Sequence, residues 1–276
     1  MRRMLLGAVG AIVSLGTTAV LTDAAAAVSS TPFLQQIGTS RTEGVGGVAV
    51  SSCGGVYTAG TTSGTLGRRN AGQSDGFLVK MSAAGTHQWT RQFGTGGREH
   101  VSGVATSPCG GSIYVVGYTD GTFPKAASAG GVDGFLAKYT NHGTQLWVKP
   151  FGTTGDDLPR GIAVSSSGWV YVTGTTDGAF PDFLNAGGND GFLAKFSSSG
   201  TRKWVVQTGT TADDELAGVA VSKAGDVYVT GETLGTFPAL ANSGDVDAVL
   251  MKFDKDGVKL WTTQFGTASF DHSLGV

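Results

Sequence analysis

Gly161-Ile-Ala-Val-Ser165 runs into Ser167-Gly168 and on into Trp169-Val-Tyr-Val-Thr-Gly-Thr175. Two short runs rich in β-branched and aromatic residues meeting at a glycine turn are the pattern of a β-hairpin. A longer connection, 176–189, carries Phe180-Pro181 and leads to a third run, Asp190-Gly-Phe-Leu-Ala-Lys-Phe196. Ser198-Ser199-Gly200 turns the chain once more, and Arg202 to Gln207 forms a fourth run. Several of these runs are apolar on both faces, so an antiparallel sheet built from them must be covered on both sides.

Outward from this unit the text repeats. Trp89, Trp147, Trp204 and Trp261 are separated by 58, 57 and 57 residues, and Phe33 holds the same column 56 residues before Trp89. Four residues after each aromatic stands Ile37, Phe93, Phe151, Thr208 or Phe265, always followed by Gly-Thr. Ten residues further on comes Gly47, Gly103, Gly161, Gly218 or Gly275. Four-stranded sheets arranged radially cover each other's faces, so the fold expected is an all-β propeller of ~57-residue units. A β-solenoid is the alternative, but its coils are shorter and lack the two-hairpin layout.

The phrases Gly161 to Gly174, Asp190 to Phe196 and Gly200-Thr-Arg-Lys-Trp204 resemble the bacterial beta-propeller repeat known as SBBP. So do Phe151-Gly-Thr-Thr-Gly-Asp-Asp157 and the Phe-Pro pair. The resemblance covers essentially all the chain after its N-terminal segment. It departs in the first unit, where Leu66-Gly67 replaces Phe-Pro, and in the last, which is cut short. It implies a propeller in exported or surface proteins and implies no common activity.

Composition agrees with many tight turns. Glycine contributes 46 of 276 residues and charged residues 14%, against about 25% in ordinary soluble domains. With 19 Lys+Arg against 21 Asp+Glu the chain lacks the basic excess of a nucleic-acid binder. Arg2 and Arg3, the apolar run Leu5 to Leu21 and the alanines Ala24 to Ala27 read as a secretory signal peptide, residues 1–27. Cleavage is expected near Ala26 or Ala27. The apolar run is short and diluted by Gly, Ser and Thr, which argues against a retained membrane anchor. The expected location is secreted, cell-surface or periplasmic. Residues 28–276 are then one repeat domain, with repeats starting near 33, 89, 147 and 204 and a partial one from 261. Four complete units could close into a ring alone, while the partial units at both ends point equally to an incomplete ring, whose terminal blades with apolar faces and unpaired edges would invite self-association.

Two acidic columns are candidate site residues. One reads Glu43, Glu99, Asp157, Asp214 and Asp271, and the other opens the third strand as Asp75, Asp133, Asp190 and Asp247. In a four-stranded meander both fall on one face, beside the longest loops. They could line a site for Ca²⁺ or for a polyhydroxylated or basic partner. Alternatively, each accepts backbone N–H bonds inside its own turn. Recurrence in every unit favours the second reading, since a ligand site needs an asymmetric constellation.

The Trp column and Tyr57, Tyr114, Tyr171 and Tyr228 are expected to pack between blades. Phe123-Pro124, Phe180-Pro181 and Phe237-Pro238 are expected to pin the long loops. Lys80, Lys138, Lys195 and Lys252 should lay their stems on apolar surface and keep their heads in water. Cys53 and Cys109 sit in equivalent turns of neighbouring units, and the spacing of adjacent blades favours two unbridged thiols. His100 and His272 share a column beside the acids, but one histidine per site is too few for zinc. No HExxH, G-x-S-x-G or phosphate-loop motif is present. The functional expectation is an exported, non-catalytic module that binds a protein or carbohydrate partner or serves a structural role. The alternative is a propeller enzyme, a lyase or hydrolase acting on a polysaccharide.

Overall fold

The computed structural model describes residues 36–124, 129–273 and 275. The signal-peptide segment 1–27 and residues 33–35 of the N-terminal run lie outside them. The described residues form sixteen strands and no helix, in four antiparallel four-stranded sheets. The first sheet comprises β1 (Glu43–Val50), β2 (Val56–Thr62), β3 (Asp75–Met81) and β4 (His87–Phe93). The second holds β5 (Glu99–Thr106), β6 (Ser112–Thr119), β7 (Asp133–Thr140) and β8 (Gln145–Phe151). The third holds β9 (Asp157–Val164), β10 (Val170–Thr176), β11 (Asp190–Phe196) and β12 (Arg202–Thr208). The fourth holds β13 (Asp214–Val221), β14 (Val227–Thr233), β15 (Asp247–Phe253) and β16 (Lys259–Phe265). Each is a simple meander, and each repeat read from the sequence supplies one sheet.

Eight tight turns close the hairpins, and each contains a glycine at positive φ, as Gly168 at 83° and Gly200 at 78°. Only glycine takes that backbone without steric cost, which is why the turn glycines recur. The leading strand of each sheet begins four residues earlier than the run of small apolar residues suggested, at the acidic column itself. Each leading strand also carries a bulge, at Gly46, Ser102, Arg160 and Ala217. There the leading strands approach each other closely: a Cβ on Gly161 would run into the Ala217 carbonyl oxygen. The glycine column is therefore the price of bringing β1, β5, β9 and β13 side by side in sequence.

Three core clusters each bridge one pair of successive sheets. The first joins Tyr57, Leu78 and Phe93 to Val101, Ile113 and Phe135; the second joins Tyr114 and Leu136 to Val172, Phe180 and Phe192. The third joins Tyr171 and Leu193 to Leu216, Val229 and Met251. β10 and β11, flanked on both sides, are buried along their whole lengths, as their apolar double faces require. Among the described residues no comparable cluster joins the fourth sheet to the first.

Candidate functional site

Both acidic columns lie at one end of the sheets, because each pair meets the last threonine of the second strand. Thr176 pairs with Asp157 on one side and Asp190 on the other, and Thr62, Thr119 and Thr233 do the same. The shared end expected from the meander is what the chain forms. The carboxylates there do not line an open surface: Asp75, Glu99, Asp133, Asp157, Asp190, Asp214 and Asp247 are all exposed by 3% or less.

Their hydrogen bonds are those of the turn-capping alternative. Asp157 Oδ2 accepts from Thr153 N (2.6 Å) and Thr153 Oγ1 (3.2 Å). Glu99, Asp214, Asp271 and Glu43 are held in the same way by Thr95, Thr210, Thr267 and Thr39. In the second column Asp75, Asp133, Asp190 and Asp247 accept the backbone N–H four residues earlier. The invariable Gly of the Gly-Thr pair lies between the two columns. A Cβ on Gly209 would overlap Asp190 Oδ1 and crowd Asp214 Oδ2, so the acids of successive sheets converge where only glycine fits.

Burial sets the electrostatics. Asp157, Asp190, Asp214 and Asp247 each bury one oxygen, Oδ1, with no hydrogen-bond partner among the described residues. Burial pushes Asp157 up to about 6, against the bonds from Thr153 and Thr176, and the neighbouring Asp133 adds to the rise. Asp214 is raised by burial too, with Asp190 adding. At the less buried end of the column, Thr39's hydroxyl holds Glu43 below the usual carboxylate range. Among the described residues no three His, Cys, Asp or Glu side chains are grouped to hold a metal ion.

The histidine column divides. His100 stacks on Tyr118 (4.7 Å between centroids) and is lowered by burial and then by Arg160. His272 instead pairs with Glu232, which raises it. Asp156 and Asp213, each next to a column acid in sequence, receive backbone N–H bonds from Val132 and Asn189 across the junctions. Cys53 and Cys109 are free thiols, but their turns are not far apart: Ser52 Oγ donates to Pro108 O (2.8 Å), and Cys53 Sγ lies 3.8 Å from Cys109 O.

The lysine column corrects the expectation of solvated heads. Lys80, Lys138 and Lys195 reach into the next sheet and donate to the carbonyls of Asn141 (3.0 Å), Ser198 (2.9 Å) and Lys255 (2.6 Å). On the way they cross the rings of Tyr57, Tyr114 and Tyr171 at 5.3–5.6 Å. Lys252, with no following sheet, turns back to Asp226 of its own. A column that sequence reading passed over is Gln92, Gln207 and Gln264. Each glutamine clamps the long connection of its sheet, donating to Gly64, Gly178 or Gly235 O and to the buried Asp75, Asp190 or Asp247. Its recurrence before the Phe/Thr column was the available signal. Phe123, Phe180 and Phe237 are buried, so the Phe-Pro pairs pin the connections as expected.

Four meander sheets, a shared geometry at every junction and hub strands side by side define an all-β repeat protein built of propeller-type blades. Residues 88–124 and 146–181 match the beta-propeller repeat family SBBP. The chain is 29% identical over 226 residues to the regulatory protein FlaEY of Caulobacter vibrioides, covering 76% of this chain and 23% of that protein. It is 25% identical to an uncharacterized WD repeat-containing protein of Acanthamoeba polyphaga mimivirus, covering 72% of this chain and 20% of that one. The chain thus spans a quarter or less of these curated relatives. Among solved structures it is similar to a protein of unknown function from Dyadobacter fermentans: TM-score 0.52, 13% identity, 83% of this chain and 71% of that one. That similarity shows fold alone.

Proposed function

We propose that the protein is an exported, non-catalytic propeller module whose interaction surfaces are its two terminal sheet faces, and that each takes the opposite face of a second copy. The observation that carries this reading is that the terminal faces expose columns that the junction between the first two sheets buries. Val45 is 71% exposed where its equivalent Val101 is 1%, and Phe265 is 51% exposed where Phe93 is 4%. Trp261 and Val48 join them at the surface. Large apolar patches of this kind mark interaction sites. The polar half of the junction is split the same way. Lys252 on the fourth sheet lacks the carbonyl that its counterparts find, and Ala83, the equivalent of Asn141 and Ser198, stands exposed on the first. Commitment of the two acid columns to their own turns supports a structural role for them.

Head-to-tail contact between unlike faces predicts a particular behaviour. Native mass spectrometry of the mature chain from its host reports cleavage and association together. The expected result is a mass beginning near Ala26 or Ala27 and concentration-dependent assembly. Val48→Glu and Phe265→Glu should each leave the chain monomeric on its own, and the two mixed should give a one-to-one dimer. A monomer at every concentration, with both faces intact, overturns the reading.

A further inference from the structure

One pairing that holds in the second and third sheets is exchanged for its opposite in the first. In those two sheets the last threonine of the second strand is followed by an aspartate, Asp120 or Asp177. Its Oδ1 accepts the backbone N–H of Arg98 or Asp156 at 2.6 Å. A Cβ on Gly97 or Gly155, two residues before the column acid, would collide with that same oxygen. An aspartate at the one place and a side chain at the other therefore exclude each other. The first sheet has Ser63 for the aspartate and Arg41 for the glycine. Its long connection also carries Arg68 and Arg69, where the corresponding stretches 177–189 and 234–246 contain no Lys or Arg. In the fourth sheet the pair is Leu234 and Ala212, so the first sheet is where a lost acid is matched by gained bases.

A cavity of about 410 Å³ opens between these two turns of the first sheet. Arg41 and Arg69 line it together with Ser40, Ser63, Thr65 and Asn70, and no lining residue carries an acidic, aromatic or aliphatic side chain. Both arginines are exposed, and neither makes an ion pair among the described residues. Glu43, bonded to the cavity residue Thr39, is already occupied: it accepts from Thr39 N (3.1 Å), Thr39 Oγ1 (2.6 Å) and Thr62 Oγ1 (2.9 Å). A guanidinium offers a planar fork that matches the oxygens of a phosphate or a similar oxyanion. Serine and threonine hydroxyls both donate and accept, which suits a hydroxylated ligand. The space is more than ten times the ~30 Å³ of one water molecule, which leaves room for the body that bears the oxyanion. Without an apolar wall, that body is neither a nucleobase nor an acyl chain.

We propose that this cavity binds a sugar carrying a phosphate or sulfate ester. The ester oxyanion lies against Arg41 and Arg69, supplying the negative charge that the aspartate carries in the second and third sheets. The sugar hydroxyls meet Ser40, Ser63 and Thr65. The site belongs to the first sheet alone and does not rest on association between copies.

Glucose-6-phosphate is the first probe, titrated at low ionic strength by calorimetry and ligand-observed NMR, because salt screens exposed charges. Glucose-6-sulfate distinguishes the two esters, while glucose and inorganic phosphate separate the sugar from the charge. Saturable binding of at least one ester is expected, at least tenfold tighter than inorganic phosphate, with none by glucose. Ser63→Asp restores the acid of the neighbouring sheets and should cut affinity at least tenfold. Arg69→Gln, at an exposed position, should cut it severalfold and leave Tm unchanged. Arg202→Gln lies outside the cavity and should bind as the wild type does. No saturation by either ester, inorganic phosphate binding as tightly as the esters, an equal loss in Arg202→Gln, or undiminished binding by Ser63→Asp overturns the proposal.

Discussion

Asp157→Asn tests the junction electrostatics directly. Asp157 is fully buried, and its pKa is pushed up to about 6 from 3.8, by burial first and by Asp133 in addition. A carboxyl whose pKa is raised by folding binds its proton more tightly in the native state, so its contribution is fully present below the unfolded value. That contribution is lost as pH rises through about 6. Two pKa units correspond to roughly 3 kcal/mol. Asparagine cannot ionise, and its oxygen can still accept from Thr153 N, so the variant keeps the turn and loses the penalty. Urea unfolding of both proteins at about pH 4 and about pH 7.5 isolates the effect as a double difference. The variant should gain on the wild type by up to about 3 kcal/mol between the two conditions, most of it between about pH 4 and 6. Parallel pH profiles would refute the assignment of burial as the dominant force on this group.

Trp147→Ala, at a filled junction, should cost about 3–5 kcal/mol in chemical unfolding. Trp261→Ala, in the same column but 40% exposed, should cost less than half of that. Lys195→Met keeps the stem and removes the bond to Lys255 O and the charge over Tyr171, and a loss of about 1–3 kcal/mol is expected. Gly161→Ala should destabilise by at least about 1–3 kcal/mol because its Cβ meets the Ala217 carbonyl. Gly44→Ala, with open space around it, serves as the control. Ca²⁺ added during thermal unfolding should leave Tm unmoved, since a site filled at 100 times its Kd would add about 2.7 kcal/mol.

The sheet count, the strand order within each sheet and the packing columns were legible because every unit meets its neighbour through the same side chains. Tyr171 and Phe192 had to be apolar wherever they recurred, and the periodicity displayed it. The lysine clasps were not legible, since their partners are backbone carbonyls about 60 residues away, such as Ser198 O for Lys138. No residue type marks a carbonyl as an acceptor. The acid columns were found and their common end was placed, while their depth was not. Whether Asp190 faces solvent depends on how closely the next sheet's Asp214 turn folds over it, and that is decided by glycine-mediated approach at Gly209. Cys53 and Cys109 are unbridged, as the spacing of the units suggested, although Cys53 Sγ lies 3.8 Å from Cys109 O.

The lysine clasps tie each sheet to the one that follows. An array with such bonding has a stability that sums over units and nearest-neighbour terms. Duplicating one unit within the array inserts one unit and one more junction of the same kind. Deleting an internal unit rejoins two surfaces that already match. Changes in repeat number therefore pass through sequences that fold at every step, so recombination between units is a gentler source of variation here than substitution within a junction.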